Sequence, residues 1–127
     1  MTQQRDRLGR PLRGSDNDPR AFPQVPERAS LDGETAWREA LTYLADNLPF
    51  HVHEVCEQRW RCAPESEREV WRALAQWGAA LTHQARGNPT GTTALAQRAL
   101  DTWNTCDHIP EYINPEVVTQ SLHGLLA

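Results

Sequence analysis

The stretch from Pro49 to Arg61 reads PFHVHEVCEQRWR, and it decides how the rest of the chain is interpreted. Proline suits the first position of a helix, because its missing N–H would have no helical partner there. His53 and Glu57 are four residues apart and Trp60 follows three residues later, so all three share one helix face. The stretch therefore predicts a short helix with a polar and aromatic face.

Apolar residues at helical spacing predict one helix before this stretch and a long helix after it. The first begins near Ser30 or Asp32, either of which can cap it, and runs to about Asp46. The third begins at a capping box formed by Ser66 and Glu69, in which each side chain satisfies the other residue's backbone N–H. The apolar faces are Trp37, Leu41, Leu44 and Leu48 in the first helix, and Val70, Leu74, Trp77, Leu81 and Ala85 in the third, with Trp71 at the margin and Gly78 and Ala80 small enough for a close helix neighbour.

Glycine and proline mark the ends of the remaining helices. Gly87 suits the left-handed residue that ends the third helix, and Asn88-Pro89 reads as the N-cap and first residue of a fourth. Asn114-Pro115 starts a short fifth helix in the same way, and no segment alternates with the period of a strand. The sequence predicts an all-α domain of about five helices with antiparallel helix pairs at residues 31–127. An extended or disordered arm, rich in arginine and proline, precedes it at residues 1–30.

The composition is that of a small soluble protein, and we expect it in the cytoplasm. A chain of 127 residues fits one domain, and no run of eighteen or more apolar residues is present that could span a membrane. The polar, arginine-rich beginning does not read as a secretory signal. Three cysteines without a Cys-x-x-Cys spacing indicate reduced, mostly buried thiols.

Charge is unevenly distributed along the chain, and every basic residue is an arginine. Residues 1–30 contain six arginines and four acidic residues, whereas residues 31–127 contain seven arginines and thirteen acidic residues. An acidic body repels phosphate backbones, so nucleic acid is not the expected partner. We expect an unknown protein or a small molecule as partner, and a monomer or small homo-oligomer.

The face of the predicted second helix is the candidate site. His51 points about 160° away from His53 and cannot join it from the same helix. On the third helix, Gln76 and His83 face away from the core stripe. We expect them to complete the site, with Arg72 alongside. The candidate residues are His53, Glu54, Glu57, Trp60, Gln76 and His83.

Two interpretations of this site are open. In the structural one, a partly buried His53 donates to Glu57 or another carboxylate, in a network that ties two helices together. In the functional one, His53, Glu57 and His83 surround a small pocket walled by Trp60, where they hold a metal ion or perform acid–base chemistry. The pair lacks the second histidine of a His-Glu-x-x-His motif. No cofactor is predicted, and a divalent metal is the one that the functional interpretation allows.

The motifs together resemble the family known as domain of unknown function 309. Its small all-helical members have a His-Glu helix, a Gly-Leu-Ala-Gln-like helix and a Gly-Asn-Pro turn. Their counterparts here are His53-Glu54, Ala73-Leu74-Ala75-Gln76, Thr82-His83 and Arg86-Gly87-Asn88-Pro89-x-Gly91, within residues 34–105. The stretch Arg5-Asp6-x-x-Gly9-Arg10-Pro11-Leu12 is similar to the leader of actinobacterial members, which implies a bacterial protein. Cys56 and Thr92 depart from the family pattern. The resemblance implies a helical fold but no activity.

We therefore expect a non-catalytic binding or interaction protein with a structural His-Glu polar network. The alternative is a metal-dependent or acid/base enzyme, hydrolytic in type, that acts on a small molecule. It would use His53, Glu54, Glu57 and His83.

Overall fold

A computed structural model of the protein describes residues 3–14 and 18–127, and it is all-α. Residues 1–2 and 15–17 of the predicted arm lie outside the described residues. The helices are α1 (Gly33–Ala45), α2 (Pro49–Cys62), α3 (Arg68–Ala85), α4 (Pro89–Asn104) and α5 (Pro115–Leu126), and a 3-10 turn at Glu65–Glu67 precedes α3. The described residues contain no strand beyond a single β-bridge between Arg5 and Pro11. The predicted five-helix, all-α fold is confirmed.

Local capping explains several helix ends. Asp32 caps α1 by accepting from the Thr35 N–H at 2.9 Å, and Asn88 caps α4 by accepting from the Gly91 N–H at 3.1 Å. Gly87 has a φ of 75°, the left-handed conformation predicted for the residue that ends the third helix. Since only Arg86, Gly87 and Asn88 separate α3 from α4 and the two helices pack extensively, the chain reverses direction there.

The predicted capping box is wrong. Ser66 lies inside the 3-10 turn and is exposed, while Glu67 takes the N-cap position of α3 without a side-chain cap bond. Glu69 is paired with Arg72 at 3.3 Å instead of reaching back to a backbone N–H. The 3-10 turn moves the start of α3, so Ser66 no longer occupies the position from which a cap can act.

The core is centred on α3, which packs most extensively against α2 and α4 and also contacts α5. Trp71, Leu74 and Trp77 of this helix are fully buried. The placement of Trp71 at the margin is therefore wrong, and Ala85, which was expected in the core, is exposed. Because neighbours cover α3 on several sides, its buried sector is wider than one stripe along most of its length and ends before the last turn.

The N-terminal arm is docked on the helices. Its residue Arg7 donates to the Asp46 carbonyl at 2.6 Å, and Arg86 of the body donates to the Leu8 carbonyl at 2.7 Å. Further along the arm, the Pro23 carbonyl lies 2.6 Å from Nε2 of the buried His51. These contacts lie around the start of α2 and the ends of α1 and α3, so the arm holds a defined position on the helical body.

All three cysteines lie in the described part of the chain and none is in a disulfide. Cys56 is fully buried in the core, and burial raises the pKa of its thiol. Cys62 and Cys106 are partly exposed. Among the helices described, none combines the length and apolar content that a membrane span requires.

Candidate functional site

The candidate site lies where α2 crosses α3 at very close range. Gly78 of α3 faces the backbone of His53, and a Cβ atom built on Gly78 would lie 2.5 Å from the His53 Cα. Only a residue without a side chain allows this approach. The prediction that Gly78 lets a neighbouring helix come close is confirmed, and the contact holds the His53 backbone directly against α3.

His53 is bonded at both ring nitrogens to acceptors within the protein. Its Nδ1 donates to the Ala75 carbonyl of α3 at 2.9 Å, and its Nε2 lies 3.1 Å from Oε2 of Glu57, one turn along α2. Only the imidazolium form donates to both partners. Burial opposes this charge, but the bonds to Glu57 and to the Ala75 carbonyl outweigh it, and the pKa of His53 is raised.

Glu57 connects this pair to the surface. Its pKa is lowered chiefly by the hydrogen bond from His53, against a smaller effect of burial, and Arg61 adds to the lowering. Arg61, a further turn along α2, donates to the other carboxylate oxygen. The chain from the Ala75 carbonyl through His53 and Glu57 to Arg61 thus alternates in charge and ties α2 to α3, as the structural interpretation requires.

A cleft of about 210 Å³ opens beside this pair. Apolar residues of α3 and α4 form part of its wall, and polar side chains from α2 and α3 line the rest; the residues are His53, Glu57, Trp60, Arg72, Ala75, Gln76, Ala79 and Leu95. Oε1 of Gln76 is buried, and within the described residues it has no hydrogen-bond partner. A buried unpaired polar atom costs free energy. The cleft therefore contains an unsatisfied amide beside a charged pair.

The cleft contains four of the six candidate residues. His53, Glu57, Trp60 and Gln76 line it, together with the Arg72 that was expected alongside, whereas Glu54 and His83 do not. His83 instead contacts the side chain of Asn88 through Nδ1 at 3.1 Å, at the turn between α3 and α4. Its position seven residues beyond Gln76 places it two helical turns further along α3. The expectation that His83 joins the pocket is wrong.

The proposed metal ligands are not assembled. In the part of the chain that the structure describes, no group of three or more His, Cys, Asp or Glu side chains is arranged to hold a metal ion. His53 and Glu57 are paired with each other, and His83 is engaged at another turn. The set His53, Glu57 and His83 is thus not a three-ligand site in this arrangement.

A second polar network, which no pattern in the sequence predicts, lies at the other end of α2. Arg59 donates to the Leu31 carbonyl at 2.9 Å and to Glu67 at 3.0 Å, and Tyr112 also donates to Glu67. Trp71 contributes its indole N–H to the same carboxylate at 3.3 Å. Arg59 and Glu67 are eight residues apart, and α2 ends between them. Helical periodicity therefore does not predict that they pair.

His51 also has a role that its position in the sequence did not reveal. It is buried, and Nε2 donates to the arm at Pro23 while the ring packs edge-on against Phe22 and tilted against Tyr43. Its ring has no contact with His53, in agreement with the prediction that the two histidines cannot form one site. His51 therefore serves the docking of the arm.

Comparison with known proteins agrees with this helical core. The model of a family described as "Domain of unknown function (DUF309)" matches residues 37–95, which run from α1 through α2 and α3 into α4. No curated protein and no solved structure matches the chain. The matched segment includes all eight residues that line the cleft, and the resemblance found in the sequence is confirmed. The segment from residue 37 to residue 95 is therefore similar to the DUF309 family.

Proposed function

We propose that the protein is a non-catalytic binding domain whose ligand occupies the cleft between α2, α3 and α4. The carrying observation is that His53 has both ring nitrogens bonded to acceptors in the protein, while the buried amide oxygen of Gln76 has no partner among the residues that the structure describes. His53 holds α2 against α3, and the amide oxygen of Gln76 is the polar atom that can accept from a ligand. The acidic balance of residues 31–127 favours a small molecule or protein side chain over nucleic acid, and we expect the protein in the cytoplasm.

The cleft indicates what such a ligand must offer. Trp60 provides an aromatic surface, and Leu95 and Ala79 provide an apolar one. The Gln76 oxygen accepts a hydrogen bond, so the ligand should carry an N–H or O–H donor. A small aromatic or aliphatic group with one such donor fits a cleft of about 210 Å³.

A fragment titration tests the proposal. Small aromatic amides and amines are titrated into 15N-labelled protein, and the Gln76 amide and the Trp60 indole signals are followed. We expect a subset to shift both signals and to bind more weakly to a Gln76→Ala variant. Gln97→Ala is the matched control, because Gln97 is exposed on α4 and bonded to Asp101. If no fragment shifts either signal, or if both variants bind alike, the cleft is not the binding site.

A second candidate function is an acid/base hydrolase, favoured by one observation: the hydrogen-bonded His53 and Glu57 line the same cleft. The imidazolium would donate a proton to a leaving group, and Glu57 would stabilise the charge. A panel of chromogenic esters and phosphate esters tests this function, together with the metal content of untagged protein. Turnover that disappears in a folded His53→Gln variant favours the enzyme; absence of turnover from the wild type counts against it.

A further inference from the structure

A tight turn of the N-terminal arm lies over the start of α2. One carboxylate oxygen of Asp6 accepts from the backbone N–H groups of Leu8 and Arg10, at 2.9 Å and 2.8 Å, and this fixes the turn. Gly9 has a φ of 80° and faces the ring of Phe50, where any Cβ atom would meet the ring at 2.1 Å. The turn is thus built to sit closely on this aromatic ring.

Three arginines gather around this turn. The guanidinium carbon of Arg5 lies 5.3 Å from the centroid of the Phe50 ring, and that of Arg86, at the end of α3, lies 5.8 Å from the same centroid. Arg10 extends from the turn itself, with 51% of its side chain exposed. The three side chains come from two distant parts of the chain, which only the docked arm brings together.

The positive charge of the group exceeds the negative charge beside it. Burial lowers the pKa of Arg86, and the neighbouring charges of Arg10 and Arg5 lower it further, while Asp6 opposes them. Asp6 uses one oxygen for the backbone of the turn, and its other oxygen lies 3.8 Å from Arg10. Like charges held together cost free energy. One carboxylate leaves three guanidiniums incompletely neutralised.

Several guanidinium N–H groups have no partner within the described residues. Arg86 bonds the Leu8 carbonyl through Nε and one terminal nitrogen, and Arg5 bonds the Gly9 carbonyl through one terminal nitrogen. The remaining nitrogens of both side chains are unbonded there, and Arg10 has only its long contact to Asp6. Planar forks of this kind match the oxygen atoms of phosphate groups.

We propose that Arg5, Arg10 and Arg86 form a binding site for a small anion that carries two adjacent phosphate groups. Three cations and one carboxylate leave a net charge of 3 − 1 = +2, which calls for a ligand with at least two negative charges, and three separate guanidinium groups can be shared between two phosphate groups. The otherwise acidic chain repels extended polyanions, so a compact ligand is favoured over nucleic acid. This site is separate from the cleft, because none of its residues lines that cleft, and it does not depend on the proposed function.

Calorimetric titration of the full chain with inorganic pyrophosphate, at constant ionic strength, tests the proposal. We expect saturable binding, and weaker binding on the order of tenfold in Arg10→Gln, which removes one charged partner. Arg10→Gln leaves the body contacts of the arm intact, because within the described residues the Arg10 side chain is paired with Asp6 alone. Arg98→Gln is the matched control, since Arg98 is exposed on α4 and outside the cluster, and it should bind as the wild type does.

Three further ligands identify the source of the phosphate chemistry. Orthophosphate should bind more weakly than pyrophosphate, and adenosine should not bind. Tighter binding of ADP than of pyrophosphate would indicate a nucleotide ligand, and equal binding would indicate a diphosphate alone. The proposal is overturned if pyrophosphate does not bind, or if Arg10→Gln and Arg98→Gln reduce binding equally, because the attraction would then be nonspecific.

Discussion

Replacing Gly78 by alanine tests whether the contact between α2 and α3 is as close as the structure indicates. The new Cβ atom would lie 2.5 Å from the Cα of His53 and 2.6 Å from its backbone nitrogen. Both obstructing atoms belong to the backbone, so no side-chain rotation relieves the overlap. To restore ordinary contact, α2 must move by about 1 Å, which also lengthens the bond between His53 and the Ala75 carbonyl.

The magnitude follows from three opposing effects. Alanine in place of glycine inside a helix gains about 1 kcal/mol from helix propensity. Forcing a methyl group into a packed helix crossing costs about 1 to 3 kcal/mol, and weakening the His53 bond to Ala75 adds about 1 kcal/mol. The overpacking is at the upper end of its range because backbone atoms obstruct it. We expect the free energy of unfolding to fall by about 1 to 3 kcal/mol.

Urea unfolding followed by tryptophan fluorescence measures this change. Gly124→Ala is the matched control: Gly124 also lies within a helix, but nothing lies within 4 Å of a Cβ built there. It should be neutral or stabilising by up to about 1 kcal/mol. The two substitutions should thus have opposite signs. A Gly78→Ala protein as stable as the wild type would refute the close crossing and the placement of His53 that depends on it.

Three other perturbations address the polar contacts and the arm. His53→Gln should lower the free energy of unfolding by about 1 to 3 kcal/mol. Because the pKa of His53 is raised in the folded protein, the whole loss should be present below pH 6.5, the ordinary pKa, and it should shrink as the pH rises through the raised pKa. Tyr112→Phe removes a hydrogen-bond donor from Glu67 and should lower the free energy of unfolding by about 1 to 3 kcal/mol. Because the pKa of Glu67 is lowered in the folded protein, this loss should be present above pH 4.5 and disappear as the pH falls through the lowered pKa. Gly9→Ala should release the arm and speed its cleavage by trypsin, while Gly14→Ala, where φ is also positive but nothing lies within 4 Å, should have less effect.

Each of these has a contrary outcome. Urea titrations at several pH values that show the same loss for His53→Gln throughout would mean that the imidazolium contributes nothing. A pH-independent cost of Tyr112→Phe would assign its role to packing rather than to the carboxylate of Glu67. Equal trypsin rates for the two glycine variants would show that alanine acts through the positive φ at both positions, and not through overlap with Phe50.

The helix ends that could be predicted are those set by residues adjacent in sequence. Pro49, Asn88-Pro89 and Asn114-Pro115 start helices because the cap and the fixed φ of proline act within one turn. His53 and Glu57 were paired correctly for the same reason, since a spacing of four fixes their distance in any helix. Local geometry was therefore sufficient for the fold class and for the pairing of His53 with Glu57.

The remaining features depend on which helices contact each other and on where along each helix the contact lies. Trp71 could not be placed in the core without knowing that several neighbours cover α3. His83 was assigned to the pocket because it shares a polar face with Gln76, but two turns of helix separate them along the axis. The pairing of Arg59 with Glu67 depends on a 3-10 turn that the sequence pattern did not reveal.

Cys56 makes the interior of the protein chemically addressable. Its thiol is fully buried and its pKa is raised, so an alkylating reagent can modify it only when the helices separate around it. Cys62 and Cys106 are partly exposed and provide an internal comparison within the same molecule. The ratio of the modification rates would report how often the core opens under native conditions, without denaturant.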